Sequence, residues 1–340
     1  MSVLSILWFF LIFVLIAGYF ILDGFDLGAG ILYPFVAKNN TDKRVIRRAL
    51  GPVWDGNEVW LLTAGGALFA AFPDAYATTF SGFYLAIMLV LFALIVRAVS
   101  FEFWAGDSKW APLWDVCFFC GSLLPALLLG VAVGNVIAGI PMDAAGNYIG
   151  IPLLGLITPF TLVTGLLGLA MFIAAGACWI SLKAPIDSEL RARVSVLRMP
   201  MQIIAIALFV IASIMFFAGF AGVASPIESL AILRWIFVAL FLVAIIVAMI
   251  CSKRESGDLA SFIAQSFSAC SLVGLLATSM FPVLVNATVG DPITILSAGS
   301  SELSLFCMTV ILCIGLPIVL VYHIIIYRTF RGRVEVAQVS

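Results

Sequence analysis

Two pairs of carboxylates are the residues of this chain best placed to do chemistry. Asp23 and Asp26 sit in Leu22-Asp-Gly-Phe-Asp-Leu-Gly-Ala-Gly30, and Asp55 and Glu58 sit in Gly51-Pro-Val-Trp-Asp-Gly-Asn-Glu-Val-Trp60. A spacing of three puts both members of a pair on one helix face. Both stretches lie in apolar surroundings, where an ionisable side chain is costly and marks a functional candidate. Asp23 and Asp26 cannot both ionise cheaply at such a separation, so one is expected to be protonated or paired. They fit either a structural pair accepting backbone or Arg hydrogen bonds, or a proton- or quinone-related role. Gly24, Gly28 and Gly30 around them allow close backbone approach or a local break. Pro52 suits a first helical turn, so Asp55 and Glu58 open a helix, where acids also favour the positive end of its dipole. Carboxylates at such a helix mouth can collect protons and pass them inward, and that is the role assigned to them here. Asn57 adds a polar neighbour, and Trp54 and Trp60 flank the pair as interfacial aromatic residues do.

The other polar candidates read more simply. Glu102 and Asp115 lie around a loop between apolar runs, where helix capping or pairing with Arg97 accounts for them. His323, the single histidine in 340 residues, stands in Val321-Tyr-His-Ile-Ile-Ile326 and reads as a snorkelling residue rather than a ligand. One histidine equips the chain poorly to hold haems or metals, so any redox centres are expected in a partner. The seven cysteines, including the Cys117-x-x-Cys120 pair, read as buried apolar fillers. No phosphate-binding loop, dinucleotide fingerprint, nucleophile elbow or His-Glu-x-x-His motif is present. No catalytic residue and no metal site is therefore expected in the chain itself.

The elements that must position these acids are membrane helices. Hydrophobic residues make up 64% of the chain and charged residues 10%, and the mean hydropathy is +1.22. A crossing helix needs about 20 apolar residues. Nine such spans are expected, near 3–36, 51–72, 79–99, 113–140, 152–181, 200–224, 229–251, 259–286 and 303–327. The first is too long for the bilayer and must tilt, protrude or break, with its glycines as weak points; it lacks the features of a signal peptide. Pro125, Pro159 and Pro282 are expected to kink their spans. The small residues around Gly65 and Gly66 are expected to let a neighbouring helix approach closely. Every Lys and Arg except Arg234 falls in or beside the loops after odd-numbered spans. By the positive-inside rule this sets the N-terminus outside and the C-terminus in the cytoplasm. With a net charge of −1 and no long hydrophilic stretch, the chain reads as one transmembrane domain, residues 1–340, in contact with lipid and with no nucleic-acid surface.

These segments resemble subunit II of the cytochrome bd-type quinol oxidases. The likeness rests on Asp23-Gly-Phe-Asp-Leu-Gly-Ala-Gly30, on the run Trp54 to Pro73 and on Phe80-Ser-Gly-Phe-Tyr84. It continues in Gly130-Val-Ala-Val-Gly-Asn135, Met280-Phe-Pro282 and Ser300-Ser-Glu-Leu-Ser304. The resemblance implies an all-α polytopic fold of nine transmembrane helices, arranged as two four-helix bundles plus one peripheral helix. It implies a multi-pass protein of a bacterial or archaeal cytoplasmic membrane. The expected partner is a subunit I that carries b- and d-type haems and oxidises quinol, with a small single-span subunit often joining the pair. Subunit II is expected to bind no haem; some relatives hold a structural quinone. An acid in the Trp-Asp-Gly-Asn segment lies on a proposed cytoplasmic proton route in the family, and by position it is Asp55; Glu58 stands where some members have Gln. The alternatives are a secondary transporter using membrane-embedded acids and a purely structural oxidase subunit.

Overall fold

The computed structural model describes residues 2–106, 109–222 and 227–335. Backbone polar groups in apolar surroundings must be satisfied within the chain, and the described residues accordingly form eleven α-helices. In order they are α1 (Val3–Val36), α2 (Asn40–Leu50), α3 (Trp54–Ala71), α4 (Pro73–Gly82), α5 (Tyr84–Phe103) and α6 (Ala111–Ala138). After them come α7 (Pro159–Lys183), α8 (Glu189–Phe217), α9 (Ala231–Ser252), α10 (Asp258–Met280) and α11 (Glu302–Thr329). Eight are long and apolar enough to cross a membrane: α1 and α5 through α11. The ninth expected span, at 51–72, is not among these by length and composition. The expected span at 51–72 is the helix α3, but its 18 residues include Asp55, Asn57 and Glu58 in the opening turns, too polar for a lipid-facing span.

Several boundaries also move, for local reasons. α1 runs unbroken through Gly24, Gly28 and Gly30 for about 51 Å, longer than a bilayer core. The span expected from 152 starts at Pro159, which takes the first helical position after a Thr158–Thr161 capping box, so it begins a helix and does not kink one. Pro282 lies beyond the end of α10, whereas Pro125 does sit inside α6. α8 starts at Glu189, where Ser188 caps it, well before the expected 200; residues 223 and 224 of that span lie outside the described residues. α2, an amphipathic helix with Val45, Ile46, Ala49 and Leu50 buried, was expected as loop.

The helices divide into two groups. α1, α3, α5 and α6 form one, α7 to α10 the other, and they meet along α1 and α6 against α7. α11 lies outside both, with Leu305 its one buried residue. Glycine sets the close approaches at that seam. A Cβ on Gly28 or Gly176 would fall within the backbone of the facing helix, and Gly130 and Gly165 meet in the same way. Gly65 and Gly66 do not contact another helix closely within this chain: Gly66 faces open space and Gly65 meets only the edge of Phe80 at 3.9 Å.

The two ends of the bundle differ in chemistry. At one end the basic residues are tied together: Lys43 to Asp115 at 2.5 Å, Arg193 to Asp42 at 2.5 Å, and Arg191, Arg198 and Arg333 all to Asp258 at 2.7 to 3.0 Å. The other end carries four short strands, β1 (Ile140–Pro141), β2 (Val283–Val285), β3 (Ala287–Val289) and β4 (Ile293–Thr294). β1 pairs parallel with β3, and β2 antiparallel with β4. These ribbons, not foreseen in the sequence, close the mouth of the bundle there.

The seam makes a prediction. Gly176→Val is expected to force α1 and α7 apart and to lower stability by about 1–3 kcal/mol or more, whereas Gly66→Ala is neutral. Detergent-resistant thermal unfolding checks this; equal melting of the two variants would contradict the close-approach account.

Candidate functional site

The acids of the sequence converge on one buried cation. Arg97 lies on α5 within an apolar run, 2% exposed, and its Nη2 donates to Asp23 Oδ1 at 2.5 Å. The same Nη2 lies 2.9 Å from Glu58 Oε1, but off the hydrogen-bonding direction, so Glu58 is held by charge alone. α1, α3 and α5 thus meet through a carboxylate–guanidinium–carboxylate bridge. Asp26, one turn from Asp23, accepts at Oδ2 from Asn57 Nδ2 at 2.7 Å. Asn57 Nδ2 also donates to the Leu22 carbonyl at 3.2 Å, and its Oδ1 accepts from the Tyr327 hydroxyl at 3.1 Å.

The charge balance of this cluster is its main property. Three carboxyls face one guanidinium in a region where an uncompensated charge is heavily penalised. Near-neutrality requires protons shared among the three acids. Five buried polar atoms of this cluster have no hydrogen-bond partner among the described residues: Asp23 Oδ2, Asp26 Oδ1, Glu58 Oε1, Arg97 Nη1 and Tyr19 Oη. The carboxylate oxygens are points where a proton or a water can be taken up, and Arg97 Nη1 and the Tyr19 hydroxyl are points where a water can bind. A cavity of about 10 Å³ borders Asp26 and Arg97 and is otherwise lined by Leu50, Trp54, Phe101 and Phe118. That is room for about one water.

The remaining candidates fall into two places. Asp55 is exposed in the first turn of α3, one turn before the half-buried Glu58, so the pair forms a step from solvent to the cluster. Trp54 lines the cavity and packs on Phe101. Trp60 is buried and donates its indole N–H to His323 Nε2 at 3.2 Å. His323 Nδ1 lies 2.9 Å from the Val319 carbonyl, so the ring is engaged on both sides rather than reaching for the interface. Asp115 does not pair with Arg97. It accepts from Tyr33 at 2.7 Å and pairs with Lys43, and Arg47 approaches it at 3.6 Å. Arg47 in turn sits among Tyr33, Phe101, Trp104 and Phe118, 4.7 to 5.5 Å from their ring centres. Glu102 is exposed at the end of α5. Gly65 and Gly66 stand away from the cluster.

Sequence reasoning missed three members. Arg97 was counted with the loop cations, although a cation inside Leu94-Ile-Val-Arg-Ala-Val99 is as costly as an acid there and was open to the same argument. Tyr19 stands four residues before Asp23, on the same helix face. Tyr327 gave no signal, because its place depends on how α11 docks.

The arrangement is that of a subunit built around buried acids, and comparison with known proteins gives it a family. A family model for cytochrome bd terminal oxidase subunit II matches residues 4–330. This chain belongs to that family. It is 34% identical to the probable cytochrome oxidase subunit 2 of Haemophilus influenzae, over 98% of this chain and 95% of that one. It is 30% identical to the cytochrome bd-I ubiquinol oxidase subunit 2 of Escherichia coli K12, over 98% and 96%. It is 32% identical to the cytochrome bd ubiquinol oxidase subunit 2 of Bacillus subtilis, over 98% of each. Its fold matches a chain of the bd oxidase from Geobacillus thermodenitrificans with a TM-score of 0.74, over 97% of this chain and 99% of that one, at 17% identity. As a bd oxidase subunit II the chain is part of a respiratory oxidoreductase complex and a multi-pass protein of the bacterial inner membrane, and it implies a subunit I beside it. The transporter alternative falls to this membership.

The Arg97 bridge has a testable energetic consequence. Arg97→Leu strands the Asp23 carboxyl and is expected to destabilise the protein by about 3–5 kcal/mol. Asp23→Asn added to Arg97→Leu is expected to restore much of that loss. A double-mutant cycle on thermal unfolding of the assembled complex measures it; strictly additive effects would show that the two side chains do not depend on each other.

Proposed function

We propose that this chain is a haem-free subunit of a quinol:oxygen oxidoreductase, that it stabilises the haem-bearing subunit I, and that it supplies protons from the cytoplasm for reduction of oxygen to water. The observation that carries the reading is the buried set Asp23, Asp26 and Glu58 around Arg97, stepped to solvent through Asp55 at the end of the bundle where the basic residues gather. The positive-inside rule puts that end in the cytoplasm. α3 then acts as the ninth crossing, its polar turns covered by α1 and α5 instead of lipid.

The order of the acids suits inward transfer. Asp55 collects protons at the surface, Glu58 receives them one helical turn deeper, and the cluster stores them against Arg97. The cavity beside Asp26 provides room for a water to carry them onward. Its size suits water rather than a quinone ring, so a structural quinone, if this chain holds one, sits elsewhere or requires the site to open. The chain's single histidine has both ring nitrogens engaged, with Trp60 and the Val319 carbonyl, which favours placing the haems b and d, together with the quinol-oxidising site, in subunit I. Exposed apolar faces such as Phe92, Ile95 and Val96 on α5 and Phe306, Val310 and Ile314 on α11 are available to subunit I, to a small single-span subunit and to lipid.

A second reading is that the Asp23–Arg97 bond and its neighbours only lock three helices together, which their depth and short contact would also favour. The two differ in turnover. Quinol-driven oxygen uptake by the co-purified complex, at equal haem content, is expected to fall at least about tenfold in Asp55→Asn and Glu58→Gln, since a positioned proton-transfer group contributes about 10²- to 10⁴-fold. Normal uptake in both variants would leave the structural reading standing alone.

A further inference from the structure

Tyr327 brings the peripheral helix into the acid cluster. α11 packs sparsely, yet it is fastened along its length: Trp8 donates to the Leu305 carbonyl and to Thr309, and Trp60 to His323. Beyond the helix, Lys183 donates to the Phe330 carbonyl, and Arg333 to the carbonyls of Ser181 and Ala184. Between these fastenings the Tyr327 ring lies against Trp179, with centroids 5.9 Å apart, and its hydroxyl reaches Asn57 Oδ1 at 3.1 Å.

We infer that Tyr327 is a positioning residue for proton transfer at Asp26, acting through the Asn57 side-chain amide; this rests on the proton-delivery reading above. An amide accepts at one end and donates at the other. Tyr327 occupies the accepting end of Asn57, and Leu22 O and Asp26 Oδ2 occupy the donating end. The amide is held by three partners from two other helices and has no free orientation. Asp26 Oδ2 is thereby engaged as an acceptor, which favours protonation of Oδ1, the oxygen with no partner among the described residues. Asn57 thus selects which oxygen exchanges protons, and the hydroxyl on α11 keeps Asn57 in place. The charged and titratable groups facing Asp26 are Asp23 and Tyr19 on its own helix, Glu58 on α3, Arg97 on α5 and Tyr327 itself on α11.

Without the hydroxyl, Asn57 Oδ1 is buried with no donor, and the amide must turn or take a water. The test is Tyr327→Phe in the assembled quinol oxidase, which keeps the ring and its packing. With a soluble short-chain quinol and haem content held equal, kcat is expected to fall about fivefold, the rate equivalent of roughly one hydrogen bond, with KM unchanged. In the redox-difference infrared spectrum, the carboxylic C=O band that disappears in Asp26→Asn is expected to shift in Tyr327→Phe. Tyr327→Phe added to Asn57→Leu is expected to cause no further loss. An unmoved band, or losses that simply add, would overturn the positioning role and show that Tyr327 only packs. Normal turnover of Asp26→Asn would overturn the path through Asp26 itself, and with it any part for Tyr327 in turnover. A slow Asp26→Asn beside a normal Tyr327→Phe would remove Tyr327 alone.

Discussion

The structure depends on one buried guanidinium. Arg97 is the point at which α1, α3 and α5 are joined, through Asp23 and Glu58, and its charge is what makes three carboxyls tolerable at that depth. A single cation among three acids does not balance them. On the proposed reading, this imbalance is what lets the cluster take up protons. A fully apolar core would hold the helices at least as well.

The rest of the fold serves to place that cluster. The glycine contacts of Gly28 with Gly176 and of Gly130 with Gly165 draw the two helix groups together without side chains between them. This leaves α1 at the centre, with Asp23 and Asp26 turned toward α3 and α5. The basic end is knitted by Asp258, Asp115 and Asp42, each answering cations from other segments. Those pairs tie α2 to α6 and α8, and tie α8 and Arg333 to the start of α10. The Arg47 cage shares Phe101 and Phe118 with the cavity beside Asp26, so the closure of the basic end and the shape of that cavity are set by the same rings.

Much of this was legible in the residues. Hydropathy gave the long helices, and the loop cations of the sequence gather at one end of the bundle. The i, i+3 spacing placed Asp23 with Asp26 and Asp55 with Glu58. What failed did so for physical reasons. Hydropathy counted α3 as a span on the weight of its second half, and could not show that α1 and α5 shelter Asn57 and Glu58. Small residues such as Gly65 and Gly66 permit close approach without specifying which helix approaches. Arg97 was assigned to a loop because charge counting is blind to depth. Tyr327 and its hold on Asn57 depend on the docking of a helix that carries almost no burial signal of its own.

The central claim is that protons for oxygen reduction enter through these acids from the end bearing the basic loops. It is tested most directly by time-resolved proton uptake in vesicles containing the fully reduced, assembled oxidase after a pulse of oxygen, with a pH-sensitive dye confined to that side. The account predicts uptake on that side in step with oxygen reduction, slowed in Glu58→Gln and Asp26→Asn while the haems remain fully reducible. Uptake at the unaltered rate in both variants, or from the opposite side, would contradict it.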